Sequence, residues 1–286
     1  MLKNRANSVF HRTIAALLAF ILLLSDIPLT VYANETGTPD DNTSVVITDY
    51  NQDFIAYNYY CYLNSTGSSM IGGTGYAVSG TSGTRSVILG DQTGENLTED
   101  QKPKTNDIQV TLNGLTLNGD AVFEVRPVYG GANKVAAEVT AASSLERLRL
   151  TEKAVMTLAV NADTTITDLT LAEGAELRVS VAGGVTLSLG AVTGSGKLIL
   201  SGAGTVALSD KIEVGTLEIS DVTVAGSGTS SVAALDSLVL HSGTVRQLSL
   251  FGYGDGAAGA RTLTLEGGNF YDVAAVGVCE GNTAVT

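Results

Sequence analysis

The sequence L-R-L-T-E-K-A-V-M-T-L-A-V at Leu148–Val160 is followed by L-T-L-A-E-G-A-E-L-R-V-S-V at Leu169–Val181. Counted from the first Leu, both copies place apolar residues at offsets 0, +2, +8, +10 and +12, and Ala at +6. Alternation of apolar and polar residues is typical of half-buried strands. Each copy therefore predicts a strand, a tight turn and a second strand.

The same template recurs, with variations, through the second half of the chain. The intervals between successive copies are unequal, but all of them lie in the range typical of stacked repeats. In the last copy the offset +8 falls on Tyr271, which is expected to face inward with the other apolar positions. The copies besides those quoted start at Leu115, Leu198, Leu217, Leu238 and Leu263.

These repeats predict an all-β fold, a parallel β-helix (β-solenoid) with an N-terminal aromatic capping region. An antiparallel sandwich is the alternative, but the repetition in one direction favours the solenoid. Gly130–Leu250 contains no aromatic residue, as expected for a narrow interior filled by aliphatic columns. We expect Leu171, Val179 and Leu200 to point inward. Their neighbours on the other face, Thr170, Arg178 and Ile199, are expected to point outward.

Residues 1–33 have the pattern of an export signal. Three basic residues precede an apolar run of eleven, Ile14–Leu24, and small residues allow cleavage between Ala33 and Asn34. As a helix, this run would rise only about 16 Å, roughly half the thickness of a bilayer core. We therefore predict a secreted or cell-surface protein.

The mature chain is predicted to have three parts. Residues 34–49 form a flexible leader, residues 50–107 a cap and loop region, and residues 108–286 the solenoid. The last copy of the template begins only shortly before Thr286, so we expect the solenoid to continue beyond it.

Aromatic residues concentrate in Tyr50–Tyr76, which holds seven of the sixteen in the chain. Read as one strand, Ile55 to Leu63 would bury the face that contains Ile55 and display the face that contains Tyr60. Displayed rings and amides suit sugar binding, whereas a cap over the first repeat is the alternative reading. The candidate ligand-binding residues are Asn58, Tyr60, Tyr62 and Asn64, with Phe251 and Tyr253 in a later insertion.

No cofactor or metal site is predicted, since no Cys/His metal spacing and no calcium-loop motif occurs. Glu173 and Glu176 are interpreted as solvated turn charges, and His241 as a surface residue. Removal of the signal changes the net charge from −13 to −15, because three basic residues and Asp26 leave with it. This charge argues against nucleic-acid and membrane-surface binding, so a membrane contact is expected only through the signal or a missing downstream anchor.

Three features carry a resemblance to a family. The run I-Q-V-T-L-N-G-L-T-L-N at Ile108–Asn118, the L-x-L-x-G repeats from Leu115 and Leu198, and L-T-L-E-G-G-N-F at Leu263–Phe270 resemble exported, repeat-rich surface proteins of anaerobic Gram-positive bacteria. The resemblance implies a parallel β-helix that is carbohydrate-binding or adhesin-like.

The favoured function is a non-catalytic, adhesin-like or glycan-binding module. Its expected partner is an extracellular polysaccharide or a glycan on a host or cell surface. The alternatives are a fragment of a β-helical polysaccharide lyase or hydrolase and a purely structural surface stalk.

Overall fold

The computed structural model describes eleven segments of the chain, and in some strands it describes the backbone alone. The described residues are 43–50, 53–56, 61–63, 70–71, 75–90, 107–128, 134–227, 231–246, 249–250, 261–271 and 283–285. Side chains are not described at 43, 61–63, 70–71, 231–235, 249–250, 261, 263 and 283–285.

The described residues form strands and turns without a helix, which confirms the predicted all-β class. They contain no helix that could cross a membrane. In chain order the strands are β1 (Thr43–Thr48), β2 (Phe54–Ala56), β3 (Cys61–Leu63), β4 (Met70–Ile71), β5 (Gly75–Ser82), β6 (Val87–Leu89), β7 (Ile108–Leu117), β8 (Phe123–Val125), β9 (Val135–Ala141), β10 (Ser143–Leu150), β11 (Val155–Val160), β12 (Thr164–Leu171), β13 (Glu176–Val181), β14 (Thr186–Gly194), β15 (Lys197–Ser201), β16 (Thr205–Leu208), β17 (Ile212–Ser220), β18 (Thr223–Ala225), β19 (Ser231–Leu240), β20 (Thr244–Arg246), β21 (Ser249–Leu250), β22 (Arg261–Leu265), β23 (Asn269–Tyr271) and β24 (Thr283–Val285).

Most strands pair in parallel with a strand one repeat further along the chain, and the pairs join into three ladders. Ladder 1 contains β1, β5, the first half of β7, β9, β11, β13, β15, the ends of β17 and β19, β22 and β24. Ladder 2 contains the ends of β1, β5 and β7, the starts of β10, β12 and β14, and then β16, β18, β20 and β23. Ladder 3 contains β2, β6, β8, the ends of β10, β12 and β14, the starts of β17 and β19, and β21.

The chain visits the ladders in the order 1, 2, 3 and then returns to ladder 1. Strands β10 and β12 run straight from ladder 2 into ladder 3, so one strand serves two ladders. The segment that follows the turn at Gly183 and Gly184 is the start of β14 and lies in ladder 2.

Aliphatic residues from successive repeats align in buried columns between the ladders. In ladder 3, Leu148 aligns with Leu169 and Leu150 with Leu171, all of them buried. The predicted directions are confirmed: Leu171, Val179 and Leu200 are buried, Thr170 and Arg178 are exposed, and Ile199 is half-buried on the outer face.

Small residues occupy the corner of several template copies, because the backbone of the neighbouring repeat lies close to it. Ala154 and Ala175, at offset +6, are buried, and each donates its N–H to the carbonyl three residues earlier. At Gly204, the same offset from Leu198, a Cβ atom would lie 2.4 Å from the carbonyl oxygen of Ala182. The predicted corner is therefore a real steric requirement.

The copies of the template do not all start in the same ladder. Leu148 and Leu169 lie in ladder 3, Leu115 lies in ladder 2, and the copies from Leu198 onward start in ladder 1. The two longest intervals, from Leu115 to Leu148 and from Leu169 to Leu198, therefore join different ladders. Each corner is flanked by a strand on either side, which is why one template fits copies that start in any of the three ladders.

The inward assignment of Tyr271 is wrong, and the reason is a shortened corner. From Leu198 the first inward strand residue after the corner is Val206, at offset +8, but from Leu238 it is Val245, at offset +7. Phe270 aligns with Val245, so Tyr271 falls on the outer face. Because strand side chains alternate with a period of two, the loss of one corner residue exchanges the two faces.

The N-terminal region differs from its prediction in two respects. Strand β1 lies within the predicted leader and pairs with β5, so parallel pairing begins before Ile108. The single predicted strand from Ile55 to Leu63 is instead two antiparallel strands, β2 and β3. In β2, Phe54 and Ala56 are buried and Ile55 is half-buried, the reverse of the prediction, because β2 aligns with the buried residues of β6.

Candidate functional site

The candidate residues chosen from the sequence mostly lie outside the described part of the chain. For Tyr62 the structure describes the backbone, which is part of β3 and aligns with Ile55. The other candidate positions outside the described residues are Asn58, Tyr60, Asn64, Phe251, Tyr253 and the cleavage pair Ala33 and Asn34.

The outer face of ladder 2 carries hydroxyl groups in register from one repeat to the next. We call its first row the serine/threonine column; its members are exposed or half-buried. Parallel neighbours lie about 4.8 Å apart, so the hydroxyls recur at that spacing. In order along the ladder the column contains Thr48, Thr81, Thr116, Ser144, Thr165 and Ser188.

A second row on this face lies two residues earlier in each strand, and we call it the threonine column. All four of its threonines are half-buried, and an Asn occupies the next position. The column contains Thr186, Thr205, Thr223 and Thr244, followed by Asn269. Together the two columns form what we call the hydroxyl face.

A cavity of about 460 Å³ opens where the two columns overlap. Seven of its nine lining residues carry a hydroxyl group, and the other two are Ala142 and Asp163. The seven are Thr116, Ser143, Ser144, Thr164, Thr165, Thr186 and Ser188. Hydroxyls both donate and accept hydrogen bonds, so the lining matches ligands rich in hydroxyls.

Two hydroxyls of this lining are hydrogen-bonded to the backbone. The buried hydroxyls of Ser143 and Thr164 donate to the carbonyls of Ala141 and Ala162, at 2.9 and 2.8 Å. Ser143 also accepts the N–H of Leu115 at 3.2 Å. These two hydroxyls hold the corner, and the outward members of the columns face solvent.

Asp163 is the one ionisable residue in the cavity lining. Its Oδ1 accepts the N–H of Thr186 at 2.9 Å, which fixes the carboxylate at the start of β14. The carboxylate thus supplies an acceptor among hydroxyls that can donate.

Among the described residues, the outward positions in line with the serine/threonine column lead to an exposed aromatic residue. From Ser188 the column continues through Ala207, Ala225 and Arg246 to Tyr271. The guanidinium carbon of Arg246 lies 4.7 Å from the centre of the Tyr271 ring, a distance suited to a cation–π interaction. Tyr271 is 49% exposed, so much of it remains open to solvent.

The outer faces of the other two ladders are different in character, because they carry paired charges. On ladder 1, the Nζ of Lys197 lies 2.7 Å from Oε1 of Glu218 in the next repeat. On ladder 3, the Nη1 of Arg149 lies 3.8 Å from Oε2 of Glu124. A second cavity, of about 340 Å³, lies on ladder 1 and includes Glu138 and Arg178 in its lining. By contrast, the strand positions of the hydroxyl face between Thr116 and Ala225 are uncharged.

The shifted pKa values belong to corners rather than to the hydroxyl face. The pKa of Asp49 is lowered, chiefly because its carboxylate accepts the hydroxyl of Ser82 at 2.8 Å and the N–H of Gly83 at 2.7 Å. The pKa of Lys211 is raised by its hydrogen bond to Glu213. Within the described segments, no group of His, Cys, Asp and Glu residues has an arrangement that could hold a metal ion.

His241 is exposed, as expected, and its Nδ1 lies 2.6 Å from an Oε2 atom of Glu266 in the next repeat. The turn interpretation is correct for Glu173, which is exposed in a turn. It is wrong for Glu176, which is half-buried at the start of β13 and pairs with Arg178. Neither carboxylate lines the cavity.

Comparison with known proteins finds no relative: no family model, no curated protein and no solved structure matches this chain.

Sequence reasoning missed the hydroxyl face, although a signal was present. The tripeptides Thr205-Val206-Ala207 and Thr223-Val224-Ala225 repeat the pattern of a Thr, a buried aliphatic residue and a small residue. Apolar alternation indicates only the buried positions, whereas the polar positions form columns only when the repeats are aligned.

Proposed function

We propose that this chain is a secreted or cell-surface β-solenoid that binds carbohydrate on its hydroxyl face without cleaving it. Three parallel ladders, visited in the order 1, 2, 3 in repeat after repeat, support the solenoid. The N-terminal aromatic segment then acts as its cap: β3 pairs antiparallel with β2, whose other edge pairs with β6 in ladder 3. A covered edge is protected from pairing with other chains.

The cavity of about 460 Å³ carries the proposal for carbohydrate. Sugars present many hydroxyls, and a net gain of about 0.5–1.5 kcal/mol for each hydrogen bond is enough for binding when several form together. Asp163 adds an acceptor, and hydrogen bonds to charged groups are stronger than those between neutral groups.

Binding without cleavage is supported by the composition of the cavity. Hydrolysis of a glycosidic bond generally takes two carboxyl groups, one on each side of that bond. The cavity lining contains Asp163 and no second carboxylate. Export is supported by the basic residues and the apolar run before Ala33, and the resemblance to exported surface proteins agrees with this location.

The test is affinity electrophoresis through gels that contain soluble cellulose, xylan, chitin or pectin derivatives. We expect retardation in at least one gel, without release of reducing ends or unsaturated products. The double variant Thr165→Val/Ser188→Ala removes two cavity hydroxyls and should lose most of the retardation.

The matched control is Thr170→Val, which removes an exposed hydroxyl from the same strand on ladder 3. It should migrate like the wild type. Normal retardation of the double variant would refute the cavity as the site, and release of sugar products would favour the enzymatic alternative.

A further inference from the structure

The hydroxyl columns continue well beyond the cavity, and the Tyr271 ring lies on the same outer face. We infer that the hydroxyl face binds a linear polysaccharide laid across the strands, from the cavity to a platform formed by Asn269, Arg246 and Tyr271. This inference rests on the proposed function and specifies its ligand as an extended chain rather than a small sugar.

The register fixes the distance between the two ends of this surface. Four parallel steps lead from Ser188 to Tyr271 through aligned outward positions. At about 4.8 Å for each step, the platform lies about 19 Å from the edge of the cavity. A small sugar cannot reach both, whereas one extended chain can.

The threonine column bridges this interval. Thr205, Thr223 and Thr244 offer one hydroxyl in each repeat, so the surface presents the same group at regular intervals. A polymer with regularly repeated hydroxyls can form comparable hydrogen bonds along its length. Several weak contacts held on one surface add up to an affinity that a short fragment lacks.

The platform supplies an aromatic contact, which the cavity lacks. An exposed aromatic ring offers apolar area to the C–H face of a sugar. Asn269 is exposed two residues earlier on the same face, and its side-chain amide can both donate and accept hydrogen bonds. Arg246 contacts the Tyr271 ring and so restrains the platform.

The composition of the surface distinguishes a polysaccharide from other macromolecules. Protein interfaces are depleted in Ser and Ala at their centres, and both residue types occur along this column at Ser188, Ala207 and Ala225. Nucleic acids need a basic surface, and the whole chain has a net charge of −13. A hydroxyl surface that ends in an aromatic ring fits neither class.

The experiment is calorimetric titration with cello-, xylo-, chito- and galacturono-oligosaccharides, from disaccharides to octasaccharides, in the series whose polymer retards the protein. Affinity should rise with length until the fragment reaches the platform. The variants Thr205→Val/Thr223→Val and Tyr271→Ala should each weaken the longest fragment about five- to tenfold and leave the short fragments unchanged.

Two control variants distinguish the loss of a ligand contact from the loss of the fold. Tyr271→Phe keeps the ring and should keep the affinity for the longest fragment. Thr157→Val removes a hydroxyl from ladder 1 and should leave the affinity for every fragment unchanged. Circular dichroism of each variant checks that the fold is retained.

The two failures are distinguishable. Binding that is equally strong for short and long fragments, or that is unchanged in both the bridge and the platform variants, overturns the extended ligand and leaves the cavity as a small-sugar site. If no carbohydrate of any length binds, or if a protein partner alone binds this face, the proposed function fails as well.

Discussion

The central repeats and the N-terminal repeats use the same three ladders with different spacing. In ladder 1, Val139 aligns with Val160 and Val160 with Val181, so the interval along the chain is the same at both steps. Nearer the N-terminus, Val45 aligns with Val78, and the interval is longer. The ladders therefore depend on alignment of inward residues, and the corners absorb extra chain.

The two regions also fill their interiors differently. The N-terminal repeats bury aromatic rings, and Phe54 and Tyr76 meet edge to face with their ring centres 5.4 Å apart. The central repeats bury aliphatic residues, and the change occurs where Phe123 aligns with Leu148. A ring needs space in the neighbouring repeats, so aliphatic columns permit the shorter, more regular repeats.

The largest effect is expected inside a central column. Leu171 is fully buried, so Leu171→Ala should lower the free energy of unfolding by about 2–5 kcal/mol through the cavity it leaves. The neighbouring Thr170→Ala, on the exposed face, should be nearly neutral. Urea denaturation measures both, and similar losses would contradict the inward register.

Exchange of residues across the boundary between the regions should have an intermediate effect. Leu148→Phe places a ring in a central repeat and should cost about 1–3 kcal/mol through overpacking. The reverse change, Phe123→Leu, leaves a cavity and should also be destabilising. If Leu148→Phe were neutral in the same denaturation assay, the central interior would not be tighter than the N-terminal one.

A smaller, stabilising effect is expected at a central corner. Lys153 has φ 60°, a left-handed conformation that costs a non-glycine residue about 1–2 kcal/mol. The next repeat has Gly174 in the same turn, with φ 68°. Lys153→Gly should therefore raise the unfolding free energy by up to about 1 kcal/mol, offset in part by greater freedom of the unfolded chain. A thermal melt with a lower midpoint would contradict this reading of the corner.

The smallest effect is expected at an N-terminal corner. The pKa of Asp49 is lowered by the Ser82 hydroxyl and the Gly83 N–H, so the ionised form stabilises the fold. This contribution is complete above the ordinary carboxylate pKa and is lost as the pH falls through the lowered value. Asp49→Asn should make the melting temperature less sensitive to acid. An unchanged acid dependence would show that other carboxylates control it.

The sequence predicted the buried half of this molecule better than its surface. Apolar alternation at Leu169–Val181 predicted strands, corners and inward directions, because burial constrains those positions directly. Alternation could not show that Thr186 aligns with Thr205 or Thr244 with Asn269, because corner length varies between repeats. The same variation led to the inward assignment of Tyr271, which lies on the proposed binding face.

The predicted sugar site at Tyr60 and Tyr62 stays a prediction, because these side chains lie outside the described residues. Tyr271 and Asn269 are an aromatic and amide pair that the structure does describe on an outer face. The chemistry expected of a sugar platform thus recurs at another place in the chain, which only the alignment of repeats could reveal.

Methyl-resolved NMR of threonine-labelled protein, titrated with the oligosaccharide of highest affinity, shows whether carbohydrate contacts the hydroxyl face. The methyl signals of Thr186, Thr205 and Thr223 should shift on binding, because they lie on the hydroxyl face. Those of Thr157 on ladder 1 and Thr170 on ladder 3 should not move. Shifts confined to Thr157 or Thr170, with the threonine column unchanged, would contradict carbohydrate binding by the hydroxyl face.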